Sequence, residues 1–208
     1  MKGIYINLDE RLDRKEHIEK LKSHYSFFQN LKRFKAYKNN SNPLVGRGVS
    51  HIKALEMMLN TNDDYFLIIE DDLMILNHQN FLKFQDDFKK IINKNWDIII
   101  LTPYGVTDKS FNDYNDLNFS RITDNKISTG YIIKKDFVQV LIDIFRYGIA
   151  NLIRGEDPKI YAHDQIWKTI QKDNLFLYYN NIFAGQLPGY SSVKNSDTDY
   201  NQKFLTQS

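Results

Sequence analysis

The residues best suited to chemistry are three consecutive carboxylates, Glu70, Asp71 and Asp72. They follow Tyr65 to Ile69, a short, almost wholly apolar run of the kind that forms a central strand buried on both faces. In open α/β sheets ligands gather beyond the carboxyl ends of the strands, so the trio stands where a site belongs. Adjacent carboxylates repel and cost stability unless a cation lies between them. A divalent ion such as Mn²⁺ or Mg²⁺ would supply that charge through hard oxygen ligands. The competing reading is a solvated acidic turn, and the trio alone leaves both open.

Other groups of the right type are scattered along the chain. Asn7 and Leu8 close an apolar run, with Arg11 and Arg14 just beyond, either solvated or within reach of an anion. Ser50 precedes an amphipathic run, where a hydroxyl ordinarily caps a helix. His51 beside it is a structural hydrogen-bonder or a catalytic group, and Lys53 is a surface lysine or a partner for diphosphate. Thr129 and Gly130 sit in a strand-like run, where glycine weakens the strand and marks a bulge or a close backbone approach. His163 and Asp164 open a late helix, and an acid there also complements the helix dipole.

The elements that must position these groups alternate in type. Gly3 to Leu8 reads as a first strand, Leu12 to Tyr25 as an amphipathic helix through Ile18, Leu21 and Tyr25, and Lys32 to Tyr37 as a second strand. Lys38 to Pro43 is loop-like, and Gly46 and Gly48 extend that punctuation to Ser50, from which a helix is expected to about Asn60. Phe81 to Ile92 predicts a helix, Trp96 to Leu101 a buried strand, Ile127 to Lys134 a strand and Asp136 to Phe145 a helix. His163 to Lys172 predicts a helix and Leu175 to Tyr179 a last strand. Residues 106 to 126, rich in Asp, Asn and Ser, predict a variable loop with a weak strand near Phe119 to Ile122. Alternating strands and helices imply an α/β layered fold with a mostly parallel central sheet flanked by helices. Residues 1–193 are expected to form one domain and 194–208 a polar, poorly ordered tail.

Four separated segments resemble the pattern of family 25 glycosyltransferases, the group of bacterial lipopolysaccharide and animal collagen galactosyltransferases. They are Ile6-Asn7-Leu8-Asp9 with Arg11 and Arg14; Gly48-Val49-Ser50-His51-Ile52-Lys53-Ala54-Leu55; Ile69-Glu70-Asp71-Asp72; and Thr129-Gly130-Tyr131-Ile132-Ile133. A weaker echo runs from Gln186 to Val193. The family's second segment often carries a cysteine, whereas Arg47, Gly48 and Val49 stand in that region here. The resemblance implies a GT-A type, Rossmann-like nucleotide-sugar-binding fold, a UDP-sugar donor, usually Mn²⁺, and a glycan or protein acceptor. On that reading Glu70 and Asp72 hold the metal. Asn7, Leu8, Arg11, Arg14, Ser50, Lys53, Asp71, Thr129 and Gly130 serve the donor. His51 and Asp164 are the catalytic candidates. Transfer of galactose or glucose is expected to invert the anomeric centre with Asp164 as general base, a task for which Asp157 and Asp97 are less well placed.

Composition removes several alternatives. Twenty-eight basic residues against 26 acidic ones give a formal charge of +2, too little for a nucleic-acid partner. Without cysteine there is no disulfide framework, thiolate metal site or cysteine nucleophile. No apolar run reaches the roughly 18 residues of a membrane span, and the amino terminus meets charge at Asp9, so a cytoplasmic location is expected. Two other functions compete: a catalytically silent nucleotide-sugar-binding or scaffold protein, against which the retained carboxylates speak, and a nucleotidyltransferase, for which a Gly-rich, basic triphosphate loop near the first strand is missing.

Overall fold

Period-two alternation in the apolar runs decides the architecture. In the computed structural model, which describes residues 1–191 and 196–199, the first strand, β1 (Lys2–Asn7), turns Tyr5 to one face and Ile4 and Ile6 to the other. The same division runs through β3 (Tyr65–Glu70), β5 (Ile98–Ile100) and β8 (Gly130–Lys134). Buried on both faces, these strands can afford the continuous apolar runs that the sequence shows. Helices α1 (Leu12–His24) and α3 (His78–Ile91) cover the Tyr5 face through Ile18, Leu21, Phe81, Phe84 and Phe88. Helices α2 (Pro43–Leu59) and α4 (Val138–Ile153) cover the other through Ile52, Leu55, Leu141 and Phe145.

With β2 (Asn30–Lys35), β6 (Val106–Asp108), β7 (Phe119–Thr123) and β9 (Phe176–Tyr179), the eight-stranded sheet runs in the order β2-β1-β3-β8-β5-β9-β7-β6. Strands β1, β2, β3, β5, β6 and β9 point one way, and β7 and β8 the other, so the sheet is mostly parallel, as expected. Beyond the end of β3 the chain forms β4 (Leu73–Ile75), which pairs with β10 (Ala184–Gln186). This small ribbon folds the late chain back over the carboxylate trio, with the Leu187 amide donating to the Asp72 carbonyl at 2.6 Å. Strands β11 (Gly189–Ser191) and β12 (Ser196–Thr198) pair beyond it. Residues 192–195 and 200–208, which include most of the expected 194–208 tail, lie outside the described residues. Among the described residues no helix is long and apolar enough to cross a membrane.

Four parts of the chain differ from expectation. Helix α2 begins at Pro43, seven residues before Ser50: the Asn42 side chain caps it by accepting from the Leu44 and Val45 amides, and proline suits its first position. Gly46 and Gly48 are not loop punctuation but contact points, since a side chain at 46 would meet the Tyr37 carbonyl at 2.7 Å and one at 48 would meet Ile149 at 3.0 Å. Helix α4 runs on to Ile153. The helix expected over His163 to Lys172 is instead broken into α6 (His163–Ile166) and α7 (Lys168–Gln171), and a further short helix, α5 (Pro158–Tyr161), precedes it. Part of the expected 106–126 loop is the edge ribbon of β6 and β7.

Candidate active site

A cavity of about 700 Å³ opens at the carboxyl ends of β1 and β3. Leu8, Arg11 and Arg14, residues 36–40, 43 and 44, Arg47, Asp164, Gln165, Gln186 and Leu187 line it together with Glu70, Asp71 and Asp72. Each carboxylate of the trio has different surroundings.

Glu70 is pinned by one oxygen. Its Oε1 accepts from Arg47 Nη2 at 2.6 Å and Nε at 3.1 Å, from Ser128 Oγ at 3.2 Å, and contacts His51 Nε2 at 3.3 Å. Burial works against its charge, but Arg47 and His51 outweigh burial and hold the carboxyl well below the usual range. Behind this group the network continues inward. His51 Nδ1 meets the Tyr131 hydroxyl at 3.1 Å, and Ser128 Oγ meets His163 Nε2 at 2.7 Å. With Ser128 donating to Glu70, His163 Nε2 is the donor to Ser128. Burial, with His51 and Arg47 close by, pushes the His163 pKa well down, so its ring is neutral.

Asp71 points the other way and accepts from Asn7 Nδ2 at 2.7 Å. Asn7 is itself fixed by Arg33 Nε, which donates to its Oδ1 at 2.8 Å. Burial raises the Asp71 carboxyl above its ordinary value even against that hydrogen bond.

Asp72 is the poorly compensated member. Its Oδ1 is buried and makes no hydrogen bond among the described residues, and neither does Nη1 of the buried Arg14, which faces Asp72 Oδ2 across 3.6 Å. Burial, then Glu70 and Asp71, raise its carboxyl to about 7. Native proteins leave few buried polar atoms unpaired, and a pair such as this calls for an additional partner. A divalent ion would fit: Asp72 supplies an unused buried oxygen, Asp71 stands beside it, and Arg14 at 3.6 Å leaves the Asp72 carboxyl raised.

The other expected site residues divide. Leu8, Arg11, Arg14, Ser50, His51, Asp71, Asp72 and Asp164 border the cavity. Ser50 lies within α2 rather than at its start, with its hydroxyl donating to the Gly46 carbonyl and accepting from the Tyr37 amide, both at 2.8 Å, so it anchors the 36–44 wall. His51 is wholly buried and reaches the site through Glu70. Asn7 acts on the cavity through Asp71. Lys53 is not brought to the cavity: it is exposed and pairs with Glu56 at 2.8 Å, one turn along α2. Thr129 is buried and accepts from Gln186 at 2.6 Å. Gly130 leaves room for the Leu73 side chain, which a side chain at 130 would overlap, so packing accounts for the glycine.

Sequence reasoning passed over Arg47, which supplies the cation expected from a metal beside Glu70. It bridges that residue to Asp164, where Nη1 reaches Oδ2 at 3.1 Å. The signal was its spacing, four residues before His51 and so on the same helical face, and it vanishes if the helix is started at Ser50. Ser128 was also passed over, and His163 was noted only as the opening of a late helix. His51, Glu70 and His163 do present ligand atoms within 4.8 Å of one another. However, the Arg47 guanidinium already occupies the Glu70 oxygen, and Ser128 bridges to His163, so this trio is a hydrogen-bonded network neutralised by arginine.

No protein-family model matches the chain, and no curated protein does. Among solved structures it is similar to a glycosyltransferase involved in glycosylation of the major capsid of PBCV-1, at 12% identity over 86% of this chain and 92% of that one, with a TM-score of 0.44. It is also similar to S. aureus TarS 1–349, at 14% identity, 90% and 60% coverage and a TM-score of 0.48. A third is an apo UDP-glucose pyrophosphorylase, at 11% identity, 87% and 73% coverage and a TM-score of 0.48.

Proposed function

We propose that this chain is a divalent-metal-dependent glycosyltransferase, similar to family 25, that transfers a hexose (galactose or glucose) from a UDP-sugar to an acceptor hydroxyl of a glycan or protein. The observation that carries the reading is that two neighbouring buried atoms, Asp72 Oδ1 and Arg14 Nη1, lack hydrogen-bond partners among the described residues in the lining of a cavity large enough for a nucleotide sugar. A carboxylate oxygen and a guanidinium nitrogen that each lack a hydrogen-bond partner suit a ligand bearing both charges, such as a metal-bound diphosphate.

Asp72, with Asp71 beside it, would hold Mn²⁺ or Mg²⁺; the bound ion would neutralise charge developing on the diphosphate. Glu70 does not enter this set, because Arg47, His51 and Ser128 engage it. Arg14 and Arg11 face the diphosphate, with Leu8 and the 36–44 segment forming the nucleoside wall. Asp164, across the cavity and apart from the metal ligands, is the base. As the acceptor oxygen attacks the anomeric carbon, its proton passes to Asp164, the carbon's bond to the phosphate oxygen breaks, and UDP leaves with inversion.

The test is a panel of nucleotide sugars incubated with Mn²⁺ or with EDTA and scored for UDP release. Release from a UDP-hexose that EDTA abolishes is expected. No release from any UDP-sugar, or release undiminished by EDTA, would overturn the reading.

A further inference from the structure

Arg47 touches two carboxylates that line the cavity, Glu70 and Asp164, and it belongs to neither the donor set nor the metal set proposed above. Its Nε and Nη2 grip Glu70, Nη2 reaches Ser128 Oγ at 3.4 Å, and Nη1 reaches Asp164 Oδ2 at 3.1 Å. Four separate pieces of chain thus meet on one guanidinium: α2, the end of β3, the segment before β8, and α6. The planar fork of arginine can do this, whereas the point charge of a lysine serves one partner at a time.

The local sequence brings the group within reach. At Gly48, α2 comes so close to its neighbours that a side chain would meet Ile149 at 3.0 Å and the His163 Cβ at 3.5 Å. That approach lays α2 against the start of α6 and sets Arg47 opposite Asp164. Helix α6 has only four residues, too short to fix the direction of Asp164 by itself. The remaining Asp164 oxygen, Oδ1, has a long contact of 3.3 Å from Gln165 Nε2, and both residues line the cavity. Glu70, anchored from behind by His51 and Ser128, is the fixed post against which Arg47 braces.

We propose that Arg47 is a positioning residue which, braced on Glu70, holds Oδ2 of Asp164 and so presents Oδ1 to the incoming acceptor hydroxyl. This rests on the reading of Asp164 as the base. Arg47 acts on the rate through Asp164 and not by binding donor.

A double-mutant cycle over Arg47→Gln and Asp164→Asn tests it, with Arg47→Lys as the conservative variant. UDP release from UDP-galactose or UDP-glucose with Mn²⁺ and UDP affinity by calorimetry are both measured. Arg47→Gln is expected to lower kcat by roughly 10²-fold, within the range for general-base catalysis, with UDP affinity held within about threefold. The double variant should be no slower than Asp164→Asn alone, because two residues acting as one unit are not additive. Arg47→Lys, which keeps the charge and preserves folding, should recover part of the loss. Rate losses that multiply in the double variant, or full activity of Arg47→Gln, would overturn the positioning role while leaving the enzyme reading intact. If the wild-type chain releases no UDP, the enzyme reading itself fails, and this inference with it.

Discussion

Replacing Asp72 by Asn should make the metal-free protein more stable, the reverse of what removing a buried ion-pair partner usually does. Burial, Glu70 and Asp71 raise the Asp72 carboxyl to about 7 from an ordinary 3.8, so between those values the folded state binds a proton that the unfolded state has lost. Stability therefore falls as pH rises through that window, and the whole cost is present above it. At about 1.4 kcal/mol for each tenfold change in proton affinity, the cost at pH 8 is on the order of 4 kcal/mol at most. The side chain is 23% exposed, and solvent screening reduces the cost to about 2 kcal/mol. Little is lost in return, since Arg14 Nη1 at 3.6 Å is beyond hydrogen-bonding distance. Urea unfolding in EDTA should thus show Asp72→Asn more stable by about 2 kcal/mol at pH 8 and by about a quarter of that at pH 4.5. Mn²⁺ at a hundred times its dissociation constant should then stabilise the wild type by about 2.7 kcal/mol and the variant far less. A variant less stable than wild type at pH 8 in EDTA would refute the reasoning and make Asp72 a structural partner of Arg14.

Further outcomes follow from the same geometry. Arg14→Ala and Asn7→Ala should each weaken UDP binding by calorimetry, the first by removing a buried cation and the second by releasing Asp71; unchanged affinity in both would make the first segment structural. Asp164→Asn should cut UDP release by roughly 10²–10⁴-fold with UDP affinity kept, and product NMR from a UDP-α-sugar should show a β linkage. Gly130→Ala should destabilise the fold by about 1–3 kcal/mol through overlap with Leu73, and Leu73→Ala in the same chain should recover part of that in thermal unfolding. Burial opposes the charge of Asp87, but hydrogen bonds from Lys90, Tyr179 and Asn118 hold its carboxyl below the ordinary value. Asp87→Asn should therefore cost stability at neutral pH, with the gap closing as pH falls below about 4.

The sheet was legible because its strands are buried on both faces: unbroken apolar runs such as Tyr65 to Ile69 have few other uses. The helices were less so, because glycine carries two meanings. At Gly46 and Gly48 it reads as loop, yet each lies in a helix pressed against backbone or side chains from elsewhere, a contact that local sequence does not contain. The breaks between α5, α6 and α7 are equally non-local. Trp167 and Gln171 turn inward to bond the carbonyl of buried Asn125, which pulls the chain out of a continuous helix axis.

The carboxylate trio was legible as a charge problem but not as a solved one. Sequence states that Glu70, Asp71 and Asp72 need compensation, and offers a divalent ion as one source. It does not state that the need is divided, because the dividing residue, Arg47, lies 23 positions away from Glu70 and 117 from Asp164. Once Arg47 satisfies Glu70, and Asn7 supports Asp71, the uncompensated charge falls mainly on Asp72 and less on Asp71. The location of any metal is thereby narrowed by a residue that does not bind it. Arg47 also pairs with Asp164, so the carboxylate trio and the residue that would take the acceptor's proton are joined through one guanidinium. A pattern of acidic residues in a sequence is thus best read together with the cations that share a helical face nearby, since these decide which of the acids remain available to a ligand.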